Sequence, residues 1–209
     1  MSDFLLPIKD FERIYRVIHS VMNVTNILPH EACLFFNIIG SEILRRQYNL
    51  QTNPYCGRAI FRLNDDYILV FGEKKDGRLV CTEESFHCWT EAEGWVIDFL
   101  SPLYKECYRA SGQAGNIETK MFQKKREESK NSSAEIVAEG DFTVIEDTDI
   151  SKSQIERFWR TPLYSDLTNI CLKWYQKPPL PIKSTKFTRN EKGDITKIML
   201  HYASIREAW

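Results

Sequence analysis

The sequence lacks a dominant charge. Its 28 basic and 29 acidic residues give a formal net charge of -1, and the two signs are spread along the chain. Proteins that bind nucleic acid or anionic lipid through electrostatics carry a basic patch or stripe. We therefore expect neither a nucleic-acid partner nor a membrane partner.

Long apolar runs are also absent. The first ten residues contain no basic stretch followed by an apolar one, so this segment predicts no signal peptide. No apolar run approaches the ~20 residues that span a bilayer. This predicts a cytoplasmic protein, in which cysteines stay reduced. The cysteines are Cys33, Cys56, Cys81, Cys88, Cys107 and Cys171. Most such cysteines are buried apolar residues, so a functional one must be distinguished by its surroundings.

Internal repeats and low-complexity tracts are missing too. A length of 209 residues suits a single domain, residues 1–209, with one sizeable core. Within it we expect a core over residues 1–105, a charged connection over 111–135 and a C-terminal extension over 136–209.

Helical periodicity dominates the beginning of the chain. Ile14, Val17 and Ile18 fall on one face of a helix predicted over residues 9–22, with charged residues elsewhere. Pro29 opens a second predicted helix, residues 30–48, which places Cys33 near a helix start.

A strand-like period begins at residue 59. Short runs over 59–63, 67–71, 79–82, 85–91 and 95–99 are separated by turn dipeptides such as Asp76-Gly77 and Glu93-Gly94, which indicates antiparallel hairpins. Helices first and contiguous hairpins afterwards favour the α+β class, with N-terminal helices packed on an antiparallel β-sheet.

The C-terminal half is less regular. Residues 111–133 are charged and poor in apolar residues, which predicts a solvated helix or a mobile connection. The α/β extension should contain a strand over 142–145 and a helix that begins at Ser153, with Glu156 at capping-box spacing. Pro162 should interrupt that helix before it continues over 163–175, and a hairpin over 185–189 and 195–202 should close the chain.

The hairpin of residues 85–99 contains the most informative chemistry. If Glu93-Gly94 is a two-residue turn, Trp89 lies opposite Asp98, and His87 is diagonal to Asp98 on the same face. That diagonal spans roughly 7 to 8 Å between backbone positions, within side-chain reach. A three-residue loop would place His87 and Asp98 on opposite faces of the sheet, so their pairing depends on the length of the turn.

A cysteine nucleophile would complete this pair. A carboxylate beside an imidazole fixes the ring tautomer and stabilises the imidazolium that a thiolate needs. Cys33 near a helix start would feel the positive end of the helix dipole, and its own N–H could donate to an oxyanion.

These residues resemble the transglutaminase-like enzymes of the papain-like cysteine superfamily. The shared pattern is a cysteine on a buried helix, His87-x-Trp89-x-Glu91 on a strand, and Gly94-Trp95-x-x-Asp98 on the next strand, and it covers about residues 28–102. The resemblance implies a papain-like core and a catalytic triad of Cys33, His87 and Asp98 in a hydrolase or acyltransferase that uses no cofactor or metal. The whole chain is also similar to an uncharacterised bacterial family.

Other interpretations of these residues remain open. Cys56 beside Gly57 is a rival nucleophile if it lies on an exposed loop, and His30 either assists the Cys33 thiolate or caps the region. A zinc site would draw on His30, Cys33, Cys81 and either His87 or Cys88, but no cysteine pair has metal-binding spacing. Candidate second oxyanion donors are Gln51, Asn53 and Asn26.

Two functions follow from these interpretations. The first is a cysteine-dependent enzyme that acts on an amide, ester or thioester of a small molecule or peptide. The alternative is a non-catalytic binding module on the same scaffold, which the absence of the usual Gly and Trp beside Cys33 favours. The sequence leaves the oligomeric state undetermined.

Overall fold

The computed structural model describes residues 4–25, 32–189 and 192–209. Its helices are α1 (Ile8–Met22), α2 (Cys33–Ile43, continued by a π-helical turn over Leu44–Tyr48), α3 (Tyr104–Ala110), α4 (Thr148–Arg160) and α5 (Pro162–Trp174). Its strands are β1 (Thr52–Arg62), β2 (Ile68–Phe71), β3 (Glu73–Lys75), β4 (Arg78–Val80), β5 (His87–Ala92), β6 (Trp95–Asp98), β7 (Phe122–Lys125), β8 (Phe142–Glu146), β9 (Thr185–Arg189) and β10 (Ile195–Met199). Helices and antiparallel strands together confirm the α+β class.

One antiparallel sheet forms the centre of the molecule. Its strand order is β2-β1-β5-β6-β7, and β8 also pairs with β1. The long strand β1 pairs with β5 over residues 52–57 and with β8 over residues 57–61. Two further hairpins, β3-β4 and β9-β10, lie outside this sheet.

Helix α2 packs closely against the sheet because its apolar residues are buried almost all round. Gly40 marks the point of closest approach, since a Cβ at this position would overlap the ring of Phe99. The amphipathic helix α1 packs on α2 and buries Phe11, Ile14 and Ile18. The predicted apolar face of the first helix is thus confirmed.

Several predicted elements differ from the structure. The residues expected to form a solvated helix or mobile connection contain β7, which adds an edge strand to β6. Helix α4 begins five residues before Ser153, because the carboxylate of Asp147 accepts a hydrogen bond from the Ile150 amide and caps the first turn. Pro162 occupies the first turn of a separate helix, α5, where its missing N–H costs nothing.

The start of α2 is only partly described. The predicted helix began at His30, but residues 26–31 lie outside the described part of the chain. Among the described residues, no helix is long and apolar enough to cross a membrane.

Candidate active site

The β5-β6 hairpin brings His87 and Asp98 together. Ala92 pairs with Trp95 and Thr90 with Ile97, and both Glu93 (φ 47°) and Gly94 (φ 78°) adopt left-handed conformations. A two-residue turn of this type matches the twist of the strands. The predicted register is confirmed.

The contact between the two side chains is short and buried. The Nε2 of His87 lies 2.6 Å from the Oδ2 of Asp98, and both side chains are 0% exposed. An ionised carboxylate only accepts hydrogen bonds, so Nε2 carries the proton and donates it to Asp98. In the neutral ring, Nδ1 is then the unprotonated nitrogen.

Asp98 accepts hydrogen bonds from three more donors. Tyr104 Oη lies 2.6 Å from Oδ2, while Asn37 Nδ2 and the Leu100 amide each lie 2.8 Å from Oδ1. Burial opposes ionisation of this carboxyl, but the interactions with His87, Tyr104 and Asn37 outweigh it and lower the pKa of Asp98. The centre therefore holds a carboxylate that stays charged although it is inaccessible to water.

The other ring nitrogen of His87 has no partner. The ring stacks on Phe71 with centroids 4.0 Å apart and meets the edge of Phe61 at 5.6 Å. Its Nδ1 atom is buried and forms no hydrogen bond with the described residues. A buried polar atom without a partner needs a physical explanation.

Asn37 connects helix α2 to this centre. Its Nδ2 donates to Asp98 and to the carbonyl of Cys88, and its Oδ1 accepts from the Phe99 amide. Neither Asn37 nor Tyr104 was predicted from the sequence as a site residue. An asparagine within the apolar run Phe35-Phe36-Asn37-Ile38-Ile39 was the available signal, because a buried polar side chain requires partners.

Cys33 is the first residue of α2, one helical turn before Asn37. Its side chain is 3% exposed and lies close to Cys56 and Cys88, whereas His87 turns its ring toward Phe61 and Phe71. Burial raises the pKa of the Cys33 thiol, and Cys56 acts in the same direction. His87 and Cys88 are adjacent on β5 and therefore point to opposite faces of the sheet. Cys33 lies on the Cys88 side and the His87 ring on the Phe61 and Phe71 side, so the structure does not bring Cys33 and His87 together.

A groove of about 640 Å³ opens beside Cys33. Apolar residues make up half of its lining, and the remainder includes two carboxylates and one guanidinium. The lining residues are Cys33, Leu34, Phe35, Glu83, Glu84, Phe86, Arg157, Phe158, Thr161 and Tyr164. Cys33 thus forms part of a concave surface large enough for a small molecule or a short peptide segment.

The rival nucleophile lies elsewhere than expected. Cys56 is on strand β1 directly opposite Cys88 and is fully buried, so the interpretation that placed it on an exposed loop is wrong.

The other candidate residues do not gather at Cys33. The thiol of Cys81 donates to Asp147. Gln51 and Asn53 are both exposed, and His30 and Asn26 lie outside the described residues. No group of three His, Cys, Asp or Glu side chains in the described ranges has a geometry that would hold a metal ion.

Comparison with known proteins gives a family and a fold. A crystal structure described as that of "genomics APC5867" superposes with a TM-score of 0.89 and 25% sequence identity, over 100% of this chain and 99% of that one. No curated protein matches the chain significantly. The family model described as a protein of unknown function, DUF2026, matches residues 7–209. Because that match includes the β5-β6 hairpin, helix α2 and the C-terminal segment together, the chain belongs to the DUF2026 family.

Proposed function

We propose that this protein is a cysteine-dependent hydrolase or acyltransferase in which Cys33 is the nucleophile, His87 the general base and Asp98 the carboxylate that orients His87. The single observation that supports this assignment best is the buried Nδ1 of His87, which has no partner among the described residues. Leaving such an atom unpaired costs about 1–3 kcal/mol. A base that must accept a proton during each reaction cycle gives a reason for the protein to bear that cost.

The charge state of Asp98 favours this role for His87. Nε2 donates to a carboxylate that stays ionised, so the ring presents its free lone pair at Nδ1. When Nδ1 takes up a proton, the charge of Asp98 at 2.6 Å stabilises the resulting imidazolium. Asp98 therefore both selects the tautomer and supports the charged intermediate.

Each proposed step conserves atoms and charge. Nδ1 of His87 takes the Cys33 proton, and the thiolate attacks the carbonyl carbon of an amide, ester or thioester. The tetrahedral adduct expels its amine, alcohol or thiol, which receives the proton from Nδ1. Water or an amine then attacks the acyl-enzyme, again losing a proton to His87, and the thiol is regenerated.

The start of α2 suits the charge that develops on the carbonyl oxygen. The first N–H groups of a helix have no intrahelical partner, and no side chain in the described ranges caps the start of α2. The backbone N–H of Cys33 is therefore the candidate oxyanion donor. Helix and sheet would then supply the nucleophile and the base from opposite sides of one reaction centre.

The proposal requires a rearrangement at β5, because Cys33 lies on the Cys88 side of this strand and the His87 ring on the other side. Burial raises the pKa of the Cys33 thiol, so the thiol stays protonated unless a base reaches it, a property that the binding module described below shares.

The test is intact-protein mass spectrometry after incubation with an aryl acetate and an aryl thioacetate. Wild-type protein should gain one acyl group, which peptide mapping should locate on Cys33. Cys33→Ala and His87→Ala should both remain unmodified, whereas Cys171→Ala, which changes a buried cysteine on α5, should acylate at the wild-type rate. Acylation that survives His87→Ala in a folded protein would exclude His87 as the base.

A non-catalytic binding module is the second candidate. The observation in its favour is that Cys33 is 3% exposed and forms no hydrogen bond with His87. In that case the groove binds its ligand without turnover, and no acyl adduct forms with either probe. The natural partner under both candidates is a small molecule or peptide, in a cytoplasmic protein whose six cysteines are all free, and neither candidate needs nucleic acid, a membrane or a cofactor.

A further inference from the structure

The groove beside Cys33 has one apolar wall built from helices α4 and α5. Phe158 stacks on Tyr164 with ring centroids 4.9 Å apart, and Phe35 meets Tyr164 edge-on at 6.5 Å. Leu34 and Phe86 extend the apolar surface toward Cys33. Such a wall removes an aliphatic or aromatic group of a ligand from water, and aromatic faces also attract cations.

Two carboxylates form a lip of the groove. Glu83 and Glu84 are exposed, on the loop that leads into β5, and neither forms an ion pair with a described residue. The hydroxyl of Ser153 donates to Glu83 Oε1 at 3.2 Å, and the side-chain amide of Gln154 donates to the Glu83 carbonyl at 3.2 Å. These two contacts from α4 hold the lip in place.

The polar groups that line the groove include two carboxylates, one guanidinium and two hydroxyl groups. Behind the lip, the Oε1 of Gln154 is buried, in a side chain that is 0% exposed, and has no hydrogen-bond partner among the described residues. Among the described residues that line the groove, Arg157 is the one cation, so two carboxylates and one guanidinium give this part of the lining a net charge of -1. A ligand that fits would supply N–H donors and positive charge as well as apolar surface.

We infer that the groove binds a peptide or peptide-like amide with a lysine-type side chain close to the carbonyl that Cys33 attacks. The aliphatic stem of such a side chain would lie along the aromatic wall, and its ammonium group would reach Glu83 and Glu84. This inference rests on the proposed function, because it assumes that Cys33 attacks a carbonyl of the peptide. The preference for a lysine-type side chain depends only on the groove.

The first test compares three peptide chloromethyl ketones that differ in the residue bearing the ketone. Acetyl-Phe-Lys, acetyl-Phe-norleucine and acetyl-Phe-Glu reagents present a cationic, a neutral and an anionic side chain of similar length. We expect the lysine reagent to alkylate Cys33 about tenfold faster than the glutamate reagent, with norleucine between them. The rates come from mass spectrometry of the Cys33 peptide.

Two double variants that remove the same charge test whether Glu83 and Glu84 cause the preference for lysine. The double variant Glu83→Gln/Glu84→Gln should reduce the preference for lysine over glutamate to about twofold or less. The double variant Glu127→Gln/Glu135→Gln removes the same charge from exposed sites outside the groove lining and should keep the full preference. If both variants lose it equally, the preference comes from net charge and the inference fails.

A binding experiment separates this inference from the proposed function. Cys33→Ala protein, which cannot form an adduct, is titrated with acetyl-Phe-Lys-amide and acetyl-Phe-Glu-amide while NMR shifts of the groove residues are followed. Tighter binding of the lysine peptide supports the inference even if the wild type never acylates. Equal binding, no binding or preference for the glutamate peptide overturns it, even if Cys33 proves to be a nucleophile.

Discussion

Two histidines are buried in the described part of the chain, and their surroundings differ in one decisive respect. His87 faces the carboxylate of Asp98 at 2.6 Å. His19 on α1 instead lies against the ring of His201, with centroids 3.9 Å apart, and against the side chain of Asn23. Burial, followed by the proximity of His201, lowers the pKa of His19 to about 4.

The difference shows how a neighbouring carboxylate changes the cost of a proton on a buried imidazole. A proton on His19 would meet a second imidazole and, among the described residues, no carboxylate that shifts its pKa, so burial keeps that ring neutral. A proton on His87 would be neutralised by Asp98. Only the second environment is suited to reversible proton transfer, and three predictions test this comparison in order of decreasing effect.

The largest effect should follow removal of the Asp98 charge. In Asp98→Asn, donors from His87 and Tyr104 would face an amide where they now face a carboxylate. We expect the free energy of unfolding in urea to fall by about 3–5 kcal/mol, and acylation of Cys33 to slow by about 10² to 10⁴ fold under conditions where the variant is folded.

Asp166→Asn is the matched control for this experiment. Asp166 is exposed on α5, so the substitution removes the same charge without breaking a buried network and should leave both measurements unchanged. An Asp98→Asn protein with wild-type stability would show that the carboxylate is not the centre of this network.

The intermediate effect concerns acid and His19. The unfolded state takes up a proton near pH 6.5 and the folded state only near pH 4, so unfolding becomes more favourable as the pH falls between these values. At pH 5 His19 alone should cost about 2 kcal/mol of stability relative to pH 7. Urea unfolding of wild type and His19→Gln at both pH values measures this cost.

The change in stability between pH 7 and pH 5 is compared within each protein. Any packing lost in His19→Gln is lost at both pH values and therefore cancels in this comparison. We expect His19→Gln to be less stable than wild type at pH 7 and to lose about 2 kcal/mol less between pH 7 and pH 5. If the two proteins lose the same stability on acidification, His19 is not the group that titrates.

The smallest effect should come from removing one donor to Asp98. Tyr104→Phe keeps the ring but deletes the hydrogen bond to Oδ2, which should cost about 1–2 kcal/mol at pH 7. The pKa of Asp98 is lowered in the folded state, so its stabilising contribution is present above about pH 4 and is lost as the pH falls through the folded value. With one donor fewer, this loss should begin at a higher pH.

Tyr202→Phe tests the same chemical change on the surface. Tyr202 is exposed and should tolerate the loss of its hydroxyl, both in stability and in the pH profile of unfolding. A Tyr104→Phe profile that coincides with wild type would mean that Tyr104 does not contribute to holding Asp98 ionised.

Local signals in the sequence predicted the hairpin geometry well. Glu93-Gly94 specified a two-residue turn, and strand alternation then determined which side chains share a face. The pairing of His87 with Asp98 therefore followed from neighbours within 12 residues of each other. The start of α4 was mispredicted because both Asp147 and Ser153 are residue types that cap helices. In the structure the Asp147 carboxylate caps the helix.

Longer-range features were not accessible in this way. The first half of β1 contains Asn53, Pro54 and Gly57, which are poor strand formers, yet these residues pair with β5. The residues of β7 are also polar, and they form a strand because β6 offers them an open edge. In both places tertiary pairing outweighed local propensity.

The sequence by itself determined the α+β class, the two-residue turn and the juxtaposition of His87 with Asp98, because each depends on local periodicity or on contacts between neighbouring strands. Only the tertiary structure decided that Asn37 and Tyr104 complete the Asp98 network, that Cys56 is sealed in the sheet and that a groove with two carboxylates opens beside Cys33. These features join segments far apart in the chain, where burial and the partners of each polar atom depend on how helices and sheet pack together.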